Sequence, residues 1–218
     1  MDNLKNTRAV VAYLSKYISG KTLDFGAGSA KYKGLIASHT SEYITFDMVP
    51  GNNIDVTGDA TDTPFSNDSF NTVISTQMLE HVEKPWVVVG EIRRILKPGG
   101  VCIITAPFMI PFHADPYDFF RYTKEGLESL FENESFIIEE SGCYGKTPSV
   151  LAEMIHFSRF SHYEMSSLSK LKRKLRNILM RLIKATAYRL DALSKNGAAY
   201  ANVYVVARKG VPVIIKKY

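Results

Sequence analysis

Apolar and polar positions along the chain fall into two alternating rhythms. Short β-rich runs at Lys21–Phe25, Tyr43–Asp47, Asn71–Ser75 and Val101–Ala106 read as strands, while Ala30–Ser38, Pro85–Leu96 and Lys124–Phe131 between them carry helical patterns. Such alternation predicts an α/β fold: a doubly wound, mostly parallel sheet with helices on both faces. Pro98-Gly99-Gly100 stops one helix and turns the chain into the next strand. Leu4–Ile18 predicts a further amphipathic helix with Val10, Val11, Leu14 and Ile18 on one face. Two later strands, Phe136–Glu140 and Ala201–Ala207, are separated by a long segment, residues 144–196, which reads as a helical insertion within one domain spanning residues 1–218.

Composition narrows the class. With 218 residues, 45% of them hydrophobic and 22% charged, the chain can bury an ordinary α/β core. No apolar run approaches the roughly 20 residues that span a bilayer, and the polar start lacks the apolar stretch of a signal peptide, so a cytoplasmic setting is expected. Cys102 and Cys143 show no metal-type spacing and read as free thiols; no metal is expected. The net charge of +5 is concentrated rather than spread. Lys170, Lys172, Arg173, Lys174, Arg176, Arg181, Lys184 and Arg189 form a block without an acidic residue, so the remainder is mildly acidic and nucleic acid is not an expected partner.

Gly26 and Gly28 follow the first strand and precede a helix, where residues without a Cβ let backbone N–H groups approach a ligand. A dinucleotide-binding turn would place its third glycine at position 31, which is Lys31. Four features recur in order: Leu23-Asp-Phe-Gly-Ala-Gly28; Tyr43-Ile-Thr-Phe-Asp47; Gly58-Asp-Ala60 with Pro64–Phe70 and Val73-Ile-Ser-Thr-Gln-Met-Leu-Glu-His-Val82; and Glu91–Gly100. Together they resemble the class I S-adenosylmethionine-dependent methyltransferases, in their small-molecule, type 11-like subgroup. The resemblance covers roughly residues 20–140 and the last strand, and it implies a seven-stranded Rossmann-like sheet. No Asn-Pro-Pro-Tyr-like turn follows the fourth strand, which disfavours the subgroups that methylate nucleic-acid or protein amino groups.

The resemblance implies S-adenosyl-L-methionine as the methyl donor, bound by Asp24, Gly26, Gly28, Asp47, Met48, Asp59, Ala60, Gln77 and Met78. Asp47 would accept from both ribose hydroxyls; otherwise it is a strand-end turn residue. Asp24 would contact the methionyl part or fix the loop. Asp59 would accept from the adenine amino group, with Ala60 leaving room for the ring. Gln77 and Met78 would flank the ligand, Met78 equally as plain packing. His81 reads as a structural imidazole or a catalytic one.

Methyl transfer from a sulfonium needs alignment above all, and a general base where the acceptor is a hydroxyl. The loop Ala106–Thr123 is too apolar for a linker, and its Pro111-Phe-His113, Pro116, Asp118, Arg121 and Thr123 resemble a loop of family members in surface-glycan biosynthesis. His113 is the candidate base, Asp118 or Asp115 its orienting carboxylate, and Arg121 a holder of an anionic substrate group. Alternatively Asp118 and Arg121 pair to pin the loop, with Thr123 capping the next helix.

In the insertion, Leu171, Leu175, Ile178, Leu179, Leu182, Ile183 and Leu190 share a helical face. Residues 168–190 therefore pack on their own domain or a second copy of the chain, or lie on an anionic membrane at its inner face. Val150–Phe160 is a candidate lid. The expected activity is O-methylation of a saccharide or lipid-linked glycan intermediate; the alternatives are a quinone or lipid methyltransferase, or a silent binding module of the same fold.

Overall fold

The computed structural model describes residues 4–114, 116–158, 170–194 and 199–211. Seven strands form one sheet: β1 (Lys21–Phe25), β2 (Glu42–Asp47), β3 (Val56–Thr57), β4 (Phe70–Thr76), β5 (Leu96–Pro107), β6 (Phe136–Lys146) and β7 (Tyr200–Lys209). Their order is β3-β2-β1-β4-β5-β7-β6, parallel except for β7, which runs antiparallel to both of its neighbours. The strand order reverses between β1 and β4, which places a crevice beyond their carboxyl ends.

Strand alternation distributes the core over both faces of the sheet. Leu23, Phe25, Val73, Cys102, Ile104, Val203 and Val205 meet Val88, Ile92 and Ile95 of α3 (Pro85–Ile95) and Leu127 and Phe131 of α4 (Lys124–Asn133). The intervening positions Ile74, Val101, Ile103, Tyr204 and Val206 meet Val10, Val11 and Leu14 of α1 (Thr7–Leu14), with Ile18 beyond it, and Ile36 of α2 (Lys33–Ile36). Asn6 caps α1 by accepting from Ala9 N at 3.0 Å.

The stretch read as a helix over Ala30–Ser38 is shorter in fact. Ala30 takes a left-handed φ of 51°, which keeps the chain in a turn until Lys33, and a 3₁₀ turn at Ala37–His39 ends the element. Strand β6 also runs further than expected, to Lys146, and is followed by α5 (Thr147–Ser158) and α6 (Lys170–Leu193) before β7. Asp191 anchors this helical pair: buried, it accepts from the backbone N–H groups of Lys146 and Ser149 at 3.0 and 3.1 Å and from the Ser149 hydroxyl.

Candidate active site

At the carboxyl end of β1 the backbone N–H groups of Gly26 and Ala27 both donate to the carbonyl of Phe46, at 2.9 and 3.0 Å, so the last residues of β2 hold the turn. Gly26 has a φ of +75°, and a Cβ there would lie 2.5 Å from Cγ of Met78. The absent side chain lets the segment after β4 pack onto the bend. Gly28, at φ +55°, differs: a Cβ there would meet nothing within 4 Å. Its N–H donates to Oδ2 of Asp47 at 2.8 Å, and Oδ1 of Asp47 accepts from Val49 N at 3.0 Å. Each carboxylate oxygen keeps a further lone pair.

Asp24 lies beneath this turn and accepts from the Tyr43 hydroxyl. Burial pushes its carboxyl up to about 6, against the Tyr43 hydrogen bond, with Asp47 adding to the rise and Lys31 opposing it. Just past β3, Asp59 accepts on Oδ1 from both the N–H and the hydroxyl of Thr61, at 2.7 Å each; these bonds hold its carboxyl below the usual range. Ala60 is half-buried against the core, and Met48 is exposed. Gln77 stands at the end of β4 with a φ of 54°, a conformation uncommon for a residue with a side chain. Two contacts with Thr105 of β5 hold it there, N to O at 2.9 Å and Nε2 to Oγ1 at 3.1 Å, and Nε2 also reaches the Tyr144 hydroxyl at 3.3 Å.

The loop after β5 folds back over the segment after β4. Phe119 and Phe120 donate their N–H groups to the carbonyl of Glu80 at 2.7 and 3.2 Å, and the Tyr122 hydroxyl donates to the carbonyl of Leu79 at 3.1 Å. Arg121 braces the loop, bonding the carbonyls of Ile110, Pro111 and Phe120 and both oxygens of Asp118. Asp118 also accepts from the backbone N–H of His113 at 2.7 Å. Although burial opposes it, the Arg121 and His113 hydrogen bonds hold the Asp118 carboxyl down at about 2. Thr123 caps α4 by accepting from Gly126 N at 3.0 Å.

Beneath the loop, Glu80 is wholly buried and neither carboxylate oxygen has a hydrogen-bond partner. Burial pushes its carboxyl up to about 8. Nε2 of His81 and Nε2 of His113 stand 3.8 and 4.0 Å from Oε1 of Glu80, and the two imidazoles meet edge to face. Nδ1 of each ring faces a backbone carbonyl, Tyr117 O at 2.6 Å for His81 and Pro111 O at 2.9 Å for His113. A carbonyl only accepts, so the neutral His81 ring is assigned the proton on Nδ1 and the lone pair on Nε2; at His113 the 2.9 Å approach of Pro111 O favours the same tautomer over the longer 3.3 Å contact of Arg121 Nη2 with Nδ1.

Residues 23–104 match the family model described as a methyltransferase domain. That stretch is a methyltransferase domain. Among curated relatives, an uncharacterized methyltransferase of Mycobacterium leprae is 27% identical over 95 residues, 38% of this chain and 35% of its own. A demethylmenaquinone methyltransferase of Clavibacter sepedonicus is 29% identical over 130 residues, 52% of this chain and 51% of its own. The chain thus spans about a third to a half of the length of these relatives. Among solved structures, a candidate methyltransferase from Bacillus halodurans superposes with a TM-score of 0.61 at 17% identity, over 94% of this chain and 99% of the other. A cyclase, SpnF, gives 0.61 at 18% identity over 94% and 81%. At such identities the likeness establishes the class I methyltransferase fold.

Within the methyltransferase domain, Asp24, Gly26, Gly28, Asp47, Gln77 and Met78 come together around the ends of β1, β2 and β4, and Asp59 and Ala60 follow β3. His113, Asp118 and Arg121 also converge, though Asp118 meets the backbone of His113 and lies 3.7 Å from its ring. Asp115 lies outside the described residues. Glu80 is the residue that sequence reasoning passed over. A carboxylate set between Leu79 and His81, directly after an apolar strand, was the signal for it.

The helical insertion departs from a simple packed stripe. Of α6, Met180, Ala187 and Asp191 are buried, whereas Leu171, Leu175, Ile178, Leu179, Leu182 and Leu190 are exposed. The residues that meet the domain, Met180, Ala187 and Asp191, recur at seven- and four-residue spacing, so the leucines between them face outward. Between α5 and α6 lies a cavity of about 640 Å³, lined chiefly by Leu151, Ile155, Leu182, Ile183, Ala187 and Leu190.

Proposed function

We propose that the chain transfers a methyl group from S-adenosyl-L-methionine to a hydroxyl of a small molecule, with a saccharide or lipid-linked glycan intermediate as the acceptor class. The observation that carries the donor half is the Gly28 bend tied to Asp47 at the point where strand order reverses, open on the side where a Cβ would stand. The residues fit such a ligand. Asp47 retains lone pairs for the ribose hydroxyls. Asp59 spends Oδ1 on Thr61, so Oδ2 would accept from the adenine amino group. Asp24, Gly26, Met48, Ala60, Gln77 and Met78 complete the pocket. The donor supplies a methyl group already activated by the sulfonium charge, so the protein's part is to align the acceptor and keep water out.

His113 would take the hydroxyl proton on Nε2, with the Asp118 carboxylate, kept ionised by Arg121, 3.7 Å from Nδ1 to favour the resulting imidazolium. Asp118 and Arg121 act through the loop that carries His113. Helices α5 and α6 would form a lid within the same domain, and their apolar cavity suits an amphipathic acceptor. The exposed leucines of α6, flanked by its basic residues, would rest peripherally on the inner face of the membrane. Calorimetric titration with S-adenosylmethionine tests the donor half: saturable heat is expected, and no heat or thermal shift at millimolar donor leaves a silent binding module. Labelled donor with host extract tests the acceptor class.

A second reading, a quinone or lipid methyltransferase, draws on the demethylmenaquinone methyltransferase relative and the exposed face of α6. It predicts that liposomes raise turnover and that label enters the isoprenoid-lipid pool rather than the glycan pool.

A further inference from the structure

We propose that Glu80, His81 and His113 form a binding site for one divalent transition-metal ion. Among the described residues these three offer one ligand atom each, all within 4.8 Å of one another. Zinc-type bonds of about 2.0–2.1 Å would set neighbouring ligand atoms about 3–3.5 Å apart, so shifts of under about 1 Å per side chain close the set.

Three further features favour an ion. First, both oxygens of Glu80 are buried without a hydrogen-bond partner, a costly state for a polar group that a bound cation relieves. Second, both imidazoles are fixed from behind by backbone carbonyls on Nδ1, which presents the Nε2 lone pairs to the cluster; ligating histidines are held in the same way. Third, the cluster is reachable. The side chains of His81 and His113 are 18% and 27% exposed while that of Glu80 is 0% exposed, so an ion enters from the imidazole side.

Arg121 stands 3.3 Å from Nδ1 of His113, but its charge is matched by Asp118. Two nitrogens and one oxygen suit zinc, cobalt, iron or nickel rather than magnesium or calcium, and three protein ligands leave positions open for water or a substrate oxygen. A role in acidifying an acceptor hydroxyl rests on the methyl-transfer reading, and there the ion would replace proton uptake by Nε2 of His113, whose lone pair it occupies; the binding does not rest on that reading.

The test uses the full chain, freed of metal with a chelator and titrated with cobalt(II), read by visible absorption and calorimetry. One equivalent is expected to bind, displaceable by zinc. Glu80→Gln, which keeps the volume and removes the group that can become an anionic ligand, should weaken binding about 100-fold, and His81→Ala and His113→Ala at least about tenfold each. A cooperative thermal transition near the wild-type midpoint in the Gln variant would show that the fold persists. The proposal is overturned if the wild type gives no saturable cobalt spectrum, or if all three variants bind cobalt as the wild type does, which would place the ion at another histidine. Donor titration reports on the glycine turn and cobalt on this cluster, so either reading can fail alone.

Discussion

The backbone N–H of Gly28 donates to Oδ2 of Asp47 at 2.8 Å, joining the bend after β1 to the end of β2. Asp47 therefore has two tasks, shaping the turn and presenting charge to whatever lies over it. Asp47→Ala should weaken S-adenosylmethionine binding at least tenfold, about 1.4 kcal/mol or more, by calorimetry. Asp47→Asn keeps an acceptor for Gly28 and should fall between the two. Wild-type affinity in Asp47→Ala would remove this residue from the donor site.

The two glycines of the turn should respond differently to the same change. Gly28→Ala meets no atom within 4 Å and carries only left-handed backbone strain, about 1–2 kcal/mol, yet its methyl group enters the open side of the bend. Gly26→Ala adds to similar strain a contact of 2.5 Å with Met78 Cγ, so it must displace the segment after β4. Urea unfolding should rank Gly26→Ala as the less stable variant, while donor binding is lost in Gly28→Ala even though that protein remains folded. Full donor affinity in Gly28→Ala would mean the ligand lies elsewhere.

Asp24 should make stability depend on pH in the direction opposite to most carboxylates. Burial raises its folded value to about 6 from an unfolded value of 3.8, so between these the folded state holds more protons and stability falls as pH rises. Above the folded value the penalty is fully developed, about 3 kcal/mol in order of magnitude. Asp24→Asn removes this titration, so its stability relative to wild type should be about 1 kcal/mol better at pH 7 than at pH 5. Urea unfolding of both proteins at the two pH values measures it; an equal difference at both would place the perturbed group elsewhere.

The Asp118–Arg121 pair supports the loop that carries His113, and its loss leaves Arg121 partly buried beside uncharged carbonyls and the His113 ring, with no carboxylate partner from Asp118. Asp118→Ala should cost about 2 kcal/mol or more and lower Tm by roughly 4–8 °C. Arg121→Ala should cost a similar amount, and the double variant much less than the sum, because the two act as a unit. Additive losses would show that the pair is not what holds the loop.

The sheet was legible because its signals are local. Residues of alternating or continuous apolar character at β1, β2, β4 and β5 have few other ways to be buried, and the bounds of β1 coincide with those read from sequence. Helix α2 was overestimated because the left-handed turn at Ala30 is held by backbone geometry and bears no sequence mark such as glycine. The glycines and Asp47 were visible as a motif, but the hydrogen bond between them was not, because it joins residues brought together by strand pairing. Glu80 was obscured for the same reason: only the return of the loop after β5 seals it from water. For α6 the apolar stripe was visible, but which side of it meets the domain depends on Asp191, whose partners lie in β6 and α5.

The outward stripe of α6 leads to a prediction about surfaces. Leu171, Leu175, Ile178, Leu179 and Leu182 are about half or more exposed, on a helix that carries no acidic residue of its own before Asp191, with Lys184 paired to Glu153 of α5. Placing two such leucines in an acyl environment contributes roughly 1.5–3 kcal/mol each when fully buried, and the basic residues add attraction to anionic headgroups that salt screens. The full chain should therefore cosediment with vesicles rich in phosphatidylglycerol, bind neutral vesicles weakly, and release as salt is raised. Leu175→Glu with Leu179→Glu should cut vesicle binding at least tenfold while leaving the thermal midpoint nearly unchanged, because neither side chain supports the fold. If the double variant binds vesicles as well as wild type, or instead splits a dimer in sedimentation, the stripe faces something other than lipid.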